Sequence, residues 1–159
     1  MPDGYFLNAP PPLDKLDGTA VPKLALTWVQ GAGGIVSSLA DLTTWERALY
    51  QGQVLPPPQQ RQLESLVSEA TGKPIPAATP GNPGWGLGVA QDDSAATGTI
   101  WEYEGETFGY RGLHIYLPAY GVIIALAANS AAQDTNDQLP SLTATVIKTL
   151  QAYGALPAQ

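Results

Sequence analysis

Tyr103-Glu104-Gly105-Glu106-Thr107-Phe108-Gly109-Tyr110 lies between two apolar runs, where a strand should be ending or turning. A hairpin connection accounts for the two glycines, because Gly adopts positive φ at no steric cost. It does not account for Tyr, Glu and Thr interleaved at regular steps. Glu102, Glu104 and Glu106 fall at period two and share one face of a strand. Three like charges in a row ordinarily mark a solvated face, and only occasionally an acid/base pair. The stretch is either an ordinary turn or the wall of a site.

Working outward, the flanking segments read as strands. On the N-terminal side Trp85, Leu87 and Val89 alternate with Gly86, Gly88 and Ala90, and residues 98–104 form a second strand. On the C-terminal side residues 110–117 form a third, with Leu113, Ile115 and Leu117 on one face. Pro118-Ala119-Tyr120-Gly121 is a tight turn, and Val122–Ala128 then runs apolar without alternation, which predicts burial on both faces. The pattern pairs 98–105 with 109–117, and 109–117 with 121–129.

Helical signals bracket these strands. Ser38 is a candidate cap for a helix with Leu42, Trp45 and Leu49 inward, ended by Gly52. A second helix is expected from Pro57 or Pro58, with Leu63, Leu66 and Val67 on its inner face. Leu139, Leu142, Val146 and Leu150 mark an amphipathic C-terminal helix. The chain therefore divides into residues 1–30, irregular around Pro10-Pro11-Pro12 and Pro22; 31–70, helical; a Pro/Gly-rich loop at 71–83; 84–130, antiparallel strands; and 136–153, helix. This is an α+β domain, an antiparallel sheet flanked by helices.

Composition limits the function. With 159 residues, 44% hydrophobic and 13% charged, the chain is long enough for one sizeable core. Seven Lys+Arg against fourteen Asp+Glu give a net charge of −7. No basic stripe exists to neutralise phosphates, which argues against nucleic acid as a partner. The absence of cysteine removes disulfides, thiolate nucleophiles and cysteine-based zinc sites together. No run approaches the roughly 18 apolar residues of a membrane span.

The residues alone supply no convincing catalytic apparatus. The single histidine, His114, falls mid-strand and reads as a packed residue rather than a ligand, so neither a metal nor another cofactor is expected. Gly31-Ala32-Gly33-Gly34 precedes a helix but lacks the Lys-Ser/Thr of a phosphate loop. Gly-x-Ser-x-Gly and Ser-x-x-Lys do not occur. Thr145-Val146-Ile147-Lys148 is the nearest imitation of the latter, with Thr145 near the inner stripe and Lys148 toward solvent.

The order of these segments nevertheless resembles one family. "GAGGIVSSLADLTTWERAL" is similar to the glycine turn and helix of the serine β-lactamase-like family. That family includes class C β-lactamases, D-alanyl-D-alanine carboxypeptidases and related esterases. "GWGLGV" resembles a later strand, and "YEGETFGYRGLHIYLPAYGVIIALAANS" resembles the stretch H-x-G-x-T-x-G-[FY]-x-S…P…G…N. The match covers residues 31–130. It implies that Tyr103-Glu104-Gly105 occupies the third active-site motif, Lys-Thr-Gly or His-x-Gly, on the strand lining the cleft. Gly105 would keep that strand clear for substrate, the backbone N–H of Glu106 would be an oxyanion-hole donor, and Glu104 and Thr107 would flank the substrate.

Two departures qualify the resemblance. Tyr103 puts a phenol where the family has Lys or His, which weighs against β-lactamase activity more than against esterase or peptidase activity. The Ser-x-x-Lys nucleophile and the Tyr-x-Asn motif are also missing, which implies the C-terminal part of a β-lactamase-like domain. The expected partners are then the N-terminal part of the same enzyme, or a second copy by element swapping, and a peptide-like or ester substrate. A periplasmic or secreted bacterial setting is implied for the intact protein. The alternative is a non-catalytic module that binds peptides or peptidoglycan stems.

Overall fold

The computed structural model describes residues 3–9, 11–21, 30–94, 97–132 and 138–157; Pro10, Pro22 and the expected helical residues 136 and 137 lie outside this set. In chain order the elements are β1 (Gly4–Leu7), β2 (Ala20–Val21), α1 (Leu39–Tyr50), α2 (Pro57–Leu63), β3 (Leu66–Ser68) and β4 (Pro74–Ile75). There follow β5 (Gly84–Trp85), β6 (Ala90–Ser94), β7 (Gly98–Thr107), β8 (Tyr110–Leu117), β9 (Val122–Ala128), β10 (Ser130–Ala132) and α3 (Leu139–Ala152). Helices and a large antiparallel sheet make this an α+β fold. The chain groups into two compact units: Met1–Leu39 with Glu104–Leu113 and Leu126–Ala158, and Ala40–Tyr103 with His114–Ala125.

In the first unit β1 sits centrally in a sheet of order β10-β1-β2, parallel to β10 (Tyr5↔Ser130) and antiparallel to β2 (Gly4↔Val21). Phe6, Ala9, Val21 and Ala131 close a small core, with Leu13 packed against it and the Phe108 ring edge-on to Phe6 at 6.0 Å. The expectation that residues 1–30 are irregular is thus corrected. The strand pairs with a segment at the far end of the chain, and no local pattern announces such a partner. Gly109 takes φ 75° in the turn between β7 and β8, and its carbonyl accepts the Tyr5 N–H at 3.2 Å. A Cβ on Gly4 would lie 2.5 Å from that carbonyl oxygen, so both glycines are needed for this approach.

The larger sheet has the order β4-β3-β5-β6-β7-β8-β9, so β7, β8 and β9 are neighbours as the sequence pattern predicts. Its antiparallel registers include Leu66↔Ile75, Val67↔Trp85, Trp85↔Ala90 and Ala90↔Glu102. In the second unit Leu49, Leu66, Val89, Ala90, Ile115, Leu117 and Ile124 are buried; Ile115 and Leu117 of β8 thus lie inward as expected, while Leu113 is only partly buried.

Four expectations are corrected here. The single strand read over 85–90 is a reversal: the Gly86 N–H reaches the Val89 carbonyl at 2.8 Å, Gly88 takes φ 78°, and the chain turns from β5 into β6. The second helix stops at Leu63, because Leu66 and Val67 are drawn into β3 by pairing with β4 and β5. On α1 the buried positions are Glu46 and Leu49, while Trp45 is 52% exposed. Finally, β9 is not buried on both faces; it is an edge strand in which Ile124 alone is fully buried.

Candidate functional site

β7 carries every residue that the sequence places in the site. Its pairing with β6 runs from Ser94↔Gly98 to Ala90↔Glu102, and the strand then continues to Thr107 beyond that register. Tyr103, Glu104, Gly105 and Glu106 are exposed along this extension and Thr107 is partly covered. Gly105 differs from Gly109. It has no positive φ, and a Cβ built on it would meet nothing within 4 Å. The absent side chain therefore leaves open space beside the strand rather than relieving strain. The Tyr103 ring meets Trp85 of β5 edge-on at 6.4 Å, so the phenol stands on an aromatic neighbour that sequence reasoning did not assign to it.

The two carboxylates flanking Gly105 converge on one cation. Arg111 of β8 is ion-paired through Nη2 to Glu104, and its Nε lies 3.7 Å from Glu106 Oε2. The arginine side chain is 11% exposed, against 43% for Glu104 and 40% for Glu106. Glu104 and Glu106 thus share a face, as period two requires, but the face is neutralised in part rather than simply solvated. The two-residue connection Phe108-Gly109 brings Arg111 across from these glutamates. Sequence reasoning missed it, although hairpin register was the signal that could have found it.

The family model described as Beta-lactamase matches residues 1–146. The chain belongs to the Beta-lactamase family. A comparison with curated proteins finds no match. Membership places the chain among the serine-hydrolase-like proteins.

A second cluster lies in the unit that holds α1, and the family resemblance gave no hint of it. Glu46, only 3% exposed, points Oε2 at His114 Nε2 across 3.2 Å, and the Tyr50 hydroxyl lies 3.3 Å from the same nitrogen. Tyr50 stacks on Tyr116 at 5.0 Å between ring centroids and lies tilted against Trp101 at 6.0 Å. The separation of Glu46 and His114 would suit an ion pair, but burial drives both groups toward neutrality. It raises the Glu46 carboxyl to about 7 and lowers the His114 imidazole to about 4. Burial, then Glu46, Glu64 and Glu102, push the Tyr50 phenol above its usual range. Burial followed by Asp92 raises Glu102. The Glu46 carboxyl and the Tyr50 hydroxyl thus face the same nitrogen of a neutral imidazole. In the tautomer protonated at Nδ1, Nε2 accepts from the tyrosine or from the carboxylic acid. His114 is packed mid-strand as expected, while Glu46 escaped notice because a charge at a helix position ordinarily signals solvent.

The glycine run starts within a 3-10 helix, Gln30–Ala32, and the Gly34 N–H donates to the Gln30 carbonyl at 3.0 Å. Thr145 is exposed rather than near an inner stripe, and its hydroxyl donates to the Ser141 carbonyl at 2.9 Å.

Proposed function

We propose that this chain forms the third-motif wall of a serine acyl-transfer hydrolase of the D-alanyl-D-alanine carboxypeptidase, esterase or β-lactamase type, with ester cleavage favoured. The observation that carries the reading is the β7 extension, where Gly105 leaves the strand open beside two exposed glutamates. In this reading the substrate lies along Gly105, flanked by Glu104 and Thr107. The Glu106 backbone N–H supplies one of two oxyanion-hole donors. Such a donor is pre-aimed at the charge that develops on the carbonyl oxygen, and removing one typically costs about 10²–10³ in kcat. Tyr103, standing on Trp85, offers a phenol hydrogen bond where the resemblance puts a cation or imidazole.

The sequence has no Ser-x-x-Lys and no Tyr-x-Asn, so the serine and its proton relay come from outside this chain. Its partner is accordingly the N-terminal part of the same enzyme, in a periplasmic or secreted bacterial setting. The test assays the isolated chain and the intact protein on a chromogenic ester, a D-Ala-D-Ala peptide and a chromogenic β-lactam. Ester turnover by the intact protein alone, blocked by a serine-directed inhibitor, is the expected result. Inhibitor-sensitive turnover by the isolated chain would sink the division of labour. The missing nucleophile also favours a second reading, a module that binds peptides or peptidoglycan stems without cleaving them. Saturable stem-peptide binding by the intact protein, without turnover of any of the three substrates, would select it.

A further inference from the structure

His114 is the single histidine of the chain, and two side chains of α1 compete for one of its ring nitrogens. The Tyr50 hydroxyl is hydrogen-bonded to Nε2 at 3.3 Å, and Glu46 Oε2 lies 3.2 Å from the same atom. Among the described residues that carboxyl oxygen has no hydrogen-bond partner, although the Glu46 side chain is only 4% exposed. Leaving an oxygen unbonded at such depth is costly, and Nε2 is the nitrogen placed to satisfy it. A neutral imidazole nitrogen offers either one lone pair or one N–H, never both. Nε2 therefore serves the two forms of the carboxyl in opposite ways. It accepts from a protonated Glu46, which requires the imidazole hydrogen on Nδ1. It donates to an ionised Glu46, which requires that hydrogen on Nε2.

We propose that Glu46 and His114 form a proton-operated switch, in which the charge on Glu46 dictates which ring nitrogen of His114 carries the hydrogen. When the cluster gives up one proton, the acid's proton passes to Nε2 and Nδ1 releases its own, so the imidazole is neutral on both sides. Tyr50 then meets a lone pair at Nε2 in the acidic state and an N–H in the basic one. Burial keeps the imidazole neutral down to about 4 and raises the carboxyl to about 7, which puts the changeover near neutral pH. The surrounding elements add further groups. Glu64 of α2 and Glu102 of β7 act on Tyr50, Gln60 donates to Glu64 at 2.6 Å, Asp92 of β6 acts on Glu102, and Tyr116 of β8 stacks on Tyr50. None of these is a cation that would hold Glu46 ionised in acid. The switch stands apart from the acyl-transfer reading and does not depend on it.

The experiment labels the chain with nitrogen-15 histidine and follows its one imidazole by NMR from about pH 5 to about pH 9, a range that spans the ordinary histidine titration. Protonated and bare ring nitrogens resonate far apart, so the tautomer is read directly. The expected result is a neutral ring throughout, with the hydrogen on Nδ1 at the acid end, on Nε2 at the basic end, and a changeover near the Glu46 value of about 7. Glu46→Gln should remove the changeover and leave one tautomer at every pH, because an amide does not ionise. Tyr50→Phe should keep it, because the phenol is a rival donor and not the ionising group. A single tautomer throughout in the unmodified chain overturns the proposal, as does an imidazolium at the acid end. An unaltered changeover in Glu46→Gln, or its loss in Tyr50→Phe with the fold intact, also overturns it by naming another group. The pH series on the unmodified chain needs no substitution, so a variant that fails to fold leaves the test decisive.

Discussion

At the scale of single residues, Gly105 and Gly109 share a segment and are glycine for different reasons. Gly109 has φ 75°, and a Cβ there would come within 2.7 Å of the Gly4 and Tyr5 backbone. Gly109→Val combines a left-handed backbone with a backbone clash and should cost more than about 3 kcal/mol in urea unfolding. At Gly105 the backbone is unstrained and the space open, so Gly105→Val should change stability by no more than about 1 kcal/mol. Ester turnover by the intact protein should nevertheless fall at least about tenfold, since the branched side chain enters the space assigned to substrate. Similar stability losses from the two changes would contradict this account of the segment. A second contrast separates core from surface. Leu117 is wholly buried, and Leu117→Ala should cost about 2–5 kcal/mol, whereas Trp45→Ala should cost less than about 1 kcal/mol. The urea midpoints of the two variants check it.

At the scale of elements, α1 and β8 are joined by the Glu46–His114 pair, and the pair predicts an unusual pH profile. Glu46 rises from its ordinary 4.5 to about 7, so the folded state binds the extra proton and stability falls as pH rises through that window. His114 drops from its ordinary 6.5 to about 4, so the unfolded state binds the extra proton and stability rises with pH across that window. Between about 4.5 and 6.5 the two slopes oppose, because folding only moves one proton from the histidine to the glutamate. Each slope alone amounts to something on the order of 3 kcal/mol. The unmodified chain should therefore show little pH dependence from this pair. His114→Gln should be progressively destabilised as pH rises from about 4.5 to 7, and Glu46→Gln should be progressively stabilised from about 4 to 6.5. Glu102, raised by burial and Asp92, adds a fall with pH common to all three proteins and cancels in the comparison. Slopes of the same sign in both variants would rule out the opposed burial shifts of the two groups. The pair also shows where sequence reading fails. Leu49 lies inward as periodicity says, yet Glu46 beside it breaks the apolar pattern, and Trp45 was placed inward instead. What legitimises a buried carboxyl is a histidine far along the chain, and local periodicity contains no such information. By contrast β8 was legible because Ile115 and Leu117 alternate over a face buried on one side, and the β7–β8 hairpin because its turn carries its own glycine.

At the scale of the whole molecule, the run β7-β8-β9 was readable from neighbouring segments, while β1 was not, because its partner β10 is remote in sequence. The same topology leaves a consequence at β9. Among the described residues β9 has β8 on one side and ends the seven-stranded sheet on the other. Its sequence, Val-Ile-Ile-Ala-Leu-Ala-Ala, offers no charge, proline or bulge of the kind that ordinarily blunts an exposed edge. A row of unpaired backbone donors and acceptors on an apolar strand is a template for another strand. The isolated chain should accordingly associate, through β9, with a second copy or, on the function proposed above, with an N-terminal part of the enzyme when that is supplied. Its mass in solution should rise with concentration over the micromolar range. Ile123→Lys and Leu126→Lys place a charge on that edge strand without touching the fully buried Ile124, and each should shift the distribution toward monomer. Adding the separately produced N-terminal part should compete with self-association in the unmodified chain. A concentration-independent monomer, with the same mass before and after the lysine changes, would show that the β9 edge is protected by something other than a partner strand.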